Sequence, residues 1–371
     1  MIEGRFSFPT QILVGAACVR GLSDALDTLG VLRPLLVTDP GLLATASFAA
    51  VKEAAGREVE VFSGVHGNPL EADVEDAARA FVDGGCDGVV GVGGGSALDV
   101  AKIVRARVAR PEVALRDFYS VKAWPALAPF VAIPTTAGTG SEVGRSSVIG
   151  VDGRKQVYFH PSLLAARVFL DPVLTVSLPP GLTAATGIDA LTHCIESFTS
   201  PVFHPFCDGI ALEGARMVND YLPGAVRDGG DLVARTQLLV AAAMGGVAFQ
   251  KDLGAVHSTA HPLSARHGMH HGLANALCLV AVMEFNSARK PGVYRRLGQA
   301  LGLPHDDDAA VLTRVRTLLD ECGIQPGLGK HGVKADHIET LAAAATEDAC
   351  HQTNPVPVAT ADFAELFRRC L

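Results

Sequence analysis

The stretch Gly88-Val-Val-Gly-Val-Gly-Gly-Gly-Ser-Ala-Leu-Asp-Val-Ala-Lys-Ile-Val-Arg-Ala106 decides the fold class. Gly88–Val92 is a short apolar run of the kind that forms a strand buried on both faces, and Ala97–Ala106 consists mainly of helix formers. A strand passing through a glycine cluster into a helix is the start of a βαβ unit. Working outward, Leu35-Leu-Val-Thr-Asp39 predicts a second strand ending in a polar turn. Phe130-Val-Ala-Ile-Pro134 predicts a third, stopped by its proline. Helical periodicity over Gly21–Leu29 and Glu71–Gly84 precedes the first two of these strands. The first half is therefore expected to be α/β with a parallel sheet.

The glycine cluster points to a phosphate. Glycines let backbone approach a pyrophosphate closely, and the helix that follows presents unpaired N–H groups and a partial positive charge at its start. Gly91-Val-Gly93-Gly94-Gly95-Ser96 departs from the GxGxxG fingerprint because Ser96 stands at the third glycine. Thr135-Thr136-Ala-Gly138-Thr139-Gly140-Ser141 is a second small, hydroxyl-rich loop at a strand end, and two such loops predict a ligand crevice. Asp39 closes its strand where a carboxylate can bond a ribose 2′-hydroxyl and repel a 2′-phosphate, which favours NAD over NADP. The same residue, before Pro40, also reads as an ordinary helix N-cap.

After Leu178 the pattern changes. Pro179-Pro180-Gly181 punctuates the chain, and 3.6-residue periodicity then dominates. Helices are expected over Ala184–Phe198, Phe206–Tyr221, Asp231–Phe249, Gly272–Asn286, Gly292–Leu301, Ala309–Cys322, His337–Ala345 and Ala361–Cys370. This divides the chain into an α/β domain, 1–178, and an all-α domain, 179–371, with the cleft between them a natural ligand site. Asp189 and His193 stand four apart, so both leave one helical face. His257, His261, His270 and His271 follow in a segment that packing alone would not load with imidazoles. Asp189, His193, His257 and His271 together offer one carboxylate and three imidazoles to a divalent metal, although His261 has the same helical spacing from His257. Oxygen and nitrogen donors without thiolate suit Fe(II), Zn(II), Mn(II) or Co(II).

Composition narrows the classes. Of 371 residues, 49% are hydrophobic and 19% charged, as in a well-buried globular protein. A formal charge of −8 argues against nucleic acid or an anionic membrane as partner. The longest apolar run free of charge and proline, Leu238–Phe249, falls short of the ~20 residues that span a bilayer. No secretory signal is visible, and eight cysteines without a CxxC pair read as thiols in a reducing cytoplasm. Ile2-Glu3-Gly4-Arg5 matches a protease linker and carries no argument.

The motifs in their order resemble the iron-containing (group III) alcohol dehydrogenases, near lactaldehyde reductase and 1,3-propanediol dehydrogenase. The likeness lies in Gly67-Asn68-Pro69, Gly93-Gly-Gly-Ser-Ala-Leu-Asp99-Val-Ala-Lys102, Pro134-Thr-Thr-Ala-Gly-Thr-Gly-Ser-Glu142, Asp171-Pro172, Thr186-Gly-Ile-Asp189-Ala-Leu-Thr-His193-Cys-Ile-Glu196, His257-Ser-Thr-Ala-His261-Pro-Leu and His271-Gly272. The resemblance implies a dehydroquinate-synthase-like fold, and NAD held by Asp39, Asn68, Gly93, Gly94, Gly95, Ser96, Asp99, Thr135, Thr136, Thr139 and Ser141. It further implies Fe(II) bound by Asp189, His193, His257 and His271, and His261 as a proton relay or positioning residue. The implied reaction moves a hydride between NAD(H) and a small alcohol, aldehyde or ketone in a homodimer or larger assembly. Gly144-Arg145, His267 and Asn354-Pro355-Val356 depart from the family pattern near the expected substrate pocket. Rivals of the same fold are a dehydroquinate-synthase-like or glycerol-phosphate enzyme, which would need converging Lys and Arg, and a maleylacetate reductase.

Overall fold

The computed structural model describes residues 8, 10–121, 124–152, 154–305 and 307–371, so the Ile2–Arg5 match lies outside the described residues. The chain forms two compact units. One comprises 8–136 and 140–178; the other comprises Ala137–Thr139 and Pro179–Leu371.

In the first unit the elements run β1 (Gln11–Val14), α1 (Leu22–Thr28), β2 (Pro34–Val37), α2 (Pro40–Leu43), α3 (Ala46–Ala54), β3 (Glu60–Phe62), α4 (Glu71–Asp83), β4 (Gly88–Gly93) and α5 (Gly95–Ala109). After them come β5 (Phe130–Pro134), β6 (Ser146–Val151), β7 (Arg154–Phe159) and β8 (Arg167–Leu170). Six strands make one parallel sheet in the order β1-β8-β5-β4-β2-β3. Every residue of β2, β4 and β5 is buried, which is why they read as unbroken apolar runs. Gly91 is a glycine for packing: a Cβ there would lie 3.0 Å from both Ala101 and Leu98 of α5. The second sheet, the antiparallel β6–β7 hairpin, was not expected from the sequence. Nor were β1, β3 and β8, which are edge or short strands with weak local signals.

The helical unit contains α6 (Pro180–Thr199), α7 (Pro205–Arg227), α8 (Leu232–Ala248), α9 (Ala255–His267), α10 (His271–Arg289), α11 (Arg295–Ala300), α12 (Asp308–Glu321), α13 (Ile338–Glu347) and α14 (Thr360–Cys370). Sixteen of the twenty residues of α6 are buried, so it is a central helix, surrounded by α7, α8 and α10. Close approach requires small residues: a Cβ on Gly187 would stand 2.3 Å from Leu222 of α7. The stretch Leu232–Lys251 is long and apolar enough to cross a membrane, with mean hydropathy 1.6, because it extends beyond the charge-free run counted above. Burial of 61% of that stretch identifies it as a core helix of this unit. The sequence reading assigned no helix to 255–267, where Pro262 interrupts the pattern. The helix continues through the proline and ends at Gly268 in the left-handed conformation.

Candidate functional site

The glycine loop of the first unit folds as a strand-to-helix turn. The helix starts at Gly95, two residues earlier than expected, so Gly95 and Ser96 form its first turn and contribute the unpaired N–H groups there. Gly93 has φ +148°, and a Cβ on it would lie 2.8 Å from Ala97, so both conformation and space require glycine. The Thr136 hydroxyl lies beside Gly94, and Thr135 N–H donates to the Gly93 carbonyl (3.0 Å). Ser96 Oγ donates to the Gly67 carbonyl (2.7 Å), fixing the exposed Gly67-Asn68 turn next to the loop. Asp39 caps α2 by accepting from Leu42 N–H (3.0 Å) while its other oxygen faces Gly93. The N-cap reading of Asp39 is the one observed, and its second oxygen borders the glycine loop.

Asp99 and Ser141, grouped above with the cofactor residues, have side chains committed within the fold. Asp99 accepts from Ser141 Oγ (2.6 Å) and Val148 N–H (2.8 Å). Lys102, fully buried, donates to Ser141 Oγ and the Ser146 carbonyl, both at 2.7 Å. These bonds hold the loop and the start of β6 against α5. Arg105 likewise turns inward, to the Ala128 carbonyl (2.6 Å). Thr139 belongs to the helical unit, half-buried.

In the helical unit the predicted histidines meet. Donor atoms of Asp189, His257 and His271 all lie within 4.8 Å of one another. His257 Nε2 is 3.1 Å from His193 Nε2 and 3.9 Å from Asp189 Oδ1, and His271 Nε2 is 3.6 Å from Asp189 Oδ1. A divalent ion with bonds of about 2.0–2.2 Å sets tetrahedral ligands roughly 3.3–3.6 Å apart, which these separations bracket. The charge pattern fits as well. Asp189 is 2% exposed, and among the described residues no Lys or Arg pairs with it. Two imidazole nitrogens at 3.1 Å beside a buried carboxylate are stable only around a proton or a cation.

Two residues without an assigned role in the sequence reading shape this cluster. Glu196 lies two helical turns after Asp189 on α6, and its Oε2 is 2.5 Å from His257 Nδ1. Its other oxygen accepts from Val256 N–H (2.6 Å). A carboxylate only accepts, so the His257 proton sits on Nδ1 and the Nε2 lone pair faces the cluster. Asn275, one turn after His271, donates to Asp189 Oδ1 (2.7 Å) and lies 3.3 Å from Nε2 of both His257 and His271. Burial works to lower the His257 pKa, but the Glu196 hydrogen bond and the charges of Glu196 and Asp189 outweigh it and hold the imidazole above its ordinary value. Burial pushes His193 down to about 4 despite Asp189, so it is neutral and a competent ligand at neutral pH.

His261 lies beside this group, its ring stacked on His271 with centroids 5.3 Å apart, and its Nδ1 bonded to Asp348 (2.7 Å). Within Asn354-Pro355-Val356, where only Val356 departs from the family pattern, Asn354 is a buried strut joining Ala255 N–H, Asn286 and the Val356 carbonyl. His267 packs on His337 with ring centroids 4.8 Å apart, and Arg145 lies over Phe159 of the hairpin.

A model of the iron-containing alcohol dehydrogenases matches residues 9–172, and a model of the C-terminal part of that Fe-containing family matches 183–371. The chain belongs to the iron-containing alcohol dehydrogenase family. By that membership it is an alcohol oxidoreductase of an iron-containing family. The dehydrogenase is 40% identical to 4-hydroxybutyrate dehydrogenase of Cupriavidus necator, covering 98% of each chain. It is 33% identical to NAD-dependent methanol dehydrogenase of Bacillus methanolicus over 99% of each. Among solved structures, 1,3-propanediol oxidoreductase superposes with a TM-score of 0.94 at 32% identity, covering 99% of this chain and 100% of that one. Sulfoacetaldehyde reductase from Bifidobacterium kashiwanohense, in complex with NAD+, gives 0.92 at 27% identity, covering 100% and 99%. The synthase-like and maleylacetate-reductase rivals are not favoured by these matches.

Small residues hold this dehydrogenase's donor set in place. A Cβ on Gly272 would stand 2.3 Å from the Ala185 carbonyl oxygen and 3.2 Å from Asp189 Cβ. Gly272→Ala is expected to force α10 from α6 at a cost of about 1–3 kcal/mol. Thermal unfolding will show the lower Tm, and elemental analysis will show reduced metal retention because His271 moves with the helix.

Proposed function

We propose that Asp189, His193, His257 and His271 hold the iron of this enzyme, and that the loops around Gly93–Ser96 and Thr135–Thr136, with Asp39 and the Asn68 turn, hold NAD. The observation that carries the reading is the convergence of one buried carboxylate and three imidazoles, with Glu196 turning the lone pair of His257 toward them. When bound, the ion supplies Lewis-acid polarisation of the substrate oxygen and NAD accepts the hydride. The chain's own residues do the rest. Asp189 compensates the positive charge, Asn275 orients Asp189, and the helix start at Gly95 faces a pyrophosphate with N–H groups. Asp39 at the end of β2 selects NAD by excluding a 2′-phosphate.

The substrate proposed is a short primary alcohol or its aldehyde. 4-Hydroxybutyrate is the first compound to test because the dehydrogenase named for it is similar over the full chain. A cytoplasmic homodimer or larger assembly belongs to the same proposal, checked by light scattering. The test of function is NADH consumption by anaerobically purified, Fe(II)-reconstituted protein against short aldehydes and ketones, including the 4-carbon semialdehyde. Turnover that requires Fe(II) is expected; absence of both NADH binding and turnover contradicts the reading.

A further inference from the structure

We propose that Asp348 is a positioning residue that fixes the tautomer and ring orientation of His261 beside the metal-binding imidazoles. The inference rests on the site reading above. His261 follows His257 by one turn of α9; its ring lies at 18° to that of His271 and meets His257 edge-on at 5.9 Å. It is therefore part of the imidazole cluster, yet its Nδ1 points to Asp348 Oδ2 at 2.7 Å. The carboxylate can only accept, so the proton of this bond is on Nδ1 and the lone pair is on Nε2.

Asp348 is itself firmly held. Its Oδ1 accepts from Ser258 Oγ (2.8 Å) and from Cys350 N–H (2.9 Å), and Ser258 Oγ accepts in turn from His351 N–H (2.9 Å). These bonds fasten the turn Ala349–Thr353 to α9, and the second carboxylate oxygen meets His261. Alcohol oxidation sends a hydride to NAD and releases one proton, so an acceptor nitrogen with a lone pair is what the reaction needs near the alcohol. Asp348 stands to His261 as Glu196 stands to His257: each carboxylate decides which ring nitrogen carries hydrogen.

His261, Asp348 and Cys350 also bring donor atoms within 4.8 Å of one another, the spacing of a second metal site. Both Asp348 oxygens are already engaged, and burial together with the Asp348 charge pushes the Cys350 thiol well above its usual value, so it stays protonated and is a poor ligand. The trio is better explained as a supported imidazole.

The test is Asp348→Asn. The amide oxygen must stay with Ser258 and Cys350 N–H, which turns the NH2 toward His261 and forces the proton to Nε2. Two-bond ¹H–¹⁵N spectra of ¹⁵N-histidine-labelled, metal-free protein, with His261 assigned through His261→Ala, read the tautomer directly. We expect Nδ1–H in the parent and Nε2–H in Asp348→Asn. With unchanged iron content and KM, the variant's kcat should fall by about 10²–10⁴-fold. Asp348→Glu, which keeps a carboxylate, should retain Nδ1–H and most of kcat. An unaltered tautomer, an unaltered kcat in a variant whose tautomer has switched, or a second metal equivalent lost in Cys350→Ser would overturn the proposal. A parent enzyme without NAD-dependent turnover would instead overturn the site reading, while the tautomer measurement would stand by itself.

Discussion

Asp189→Ala is expected to leave the enzyme folded but without bound iron and without measurable turnover. Asp189 is the one carboxylate among the four donors, 2% exposed and bonded to Asn275. Its removal takes away the negative charge that would offset a dication among the four donors. Loss of a supporting contact costs metal affinity about 10–100-fold, so loss of a charged ligand should exceed that range. The substitution also relieves a buried charge in the metal-free protein, so Tm without metal should hold or rise. Iron content by elemental analysis and NADH turnover check both halves; a variant that keeps one iron per chain contradicts the ligand assignment.

Glu196→Gln should weaken iron binding by about 10–100-fold while leaving all four ligands in place. The Gln oxygen is retained by Val256 N–H, which now bonds Glu196 at 2.6 Å, so the amide NH2 faces His257 Nδ1. His257 must then carry its proton on Nε2, directed at the position a metal would take. The parent's affinity also falls on acidification. Because Glu196 and Asp189 hold the His257 pKa above its ordinary value, a proton competes with the metal at and above pH 6.5, and affinity rises as pH climbs through that folded value. In Glu196→Gln the Glu196 share of that competition is removed, while the Asp189 charge remains. Chelator competition at several pH values will show a reduced affinity with a shallower pH dependence; equal affinity in parent and variant rules the orienting role out.

Much of the architecture was legible because it depends on local patterns. The buried strands β2, β4 and β5 are short apolar runs closed by Asp39, the glycine cluster and Pro134, and the structure follows them to within two residues. Helix α9 was not legible, since Pro262 breaks the pattern by which a helix is recognised. The β6–β7 hairpin was obscured because its outward residues Val157 and Phe159 are apolar and exposed, which blurs the period-two alternation. In the site, Asp189 and His193 follow from helical spacing, and the same rule could have found their supports. Glu196 comes seven residues after Asp189 and Asn275 four after His271, each on the face of its ligand. No local rule reaches Asp348, which meets His261 across 87 residues of chain.

The central claim is that Asp189, His193, His257 and His271 hold the iron. The most direct test is X-ray absorption at the iron edge of the anaerobically Fe(II)-loaded enzyme, compared with His193→Ala. The account predicts a first shell of oxygen and nitrogen near 2.0–2.2 Å, with outer-shell scattering from three imidazoles that drops to two in the variant. A parent spectrum without imidazole scattering, or one unchanged by the substitution, would contradict it.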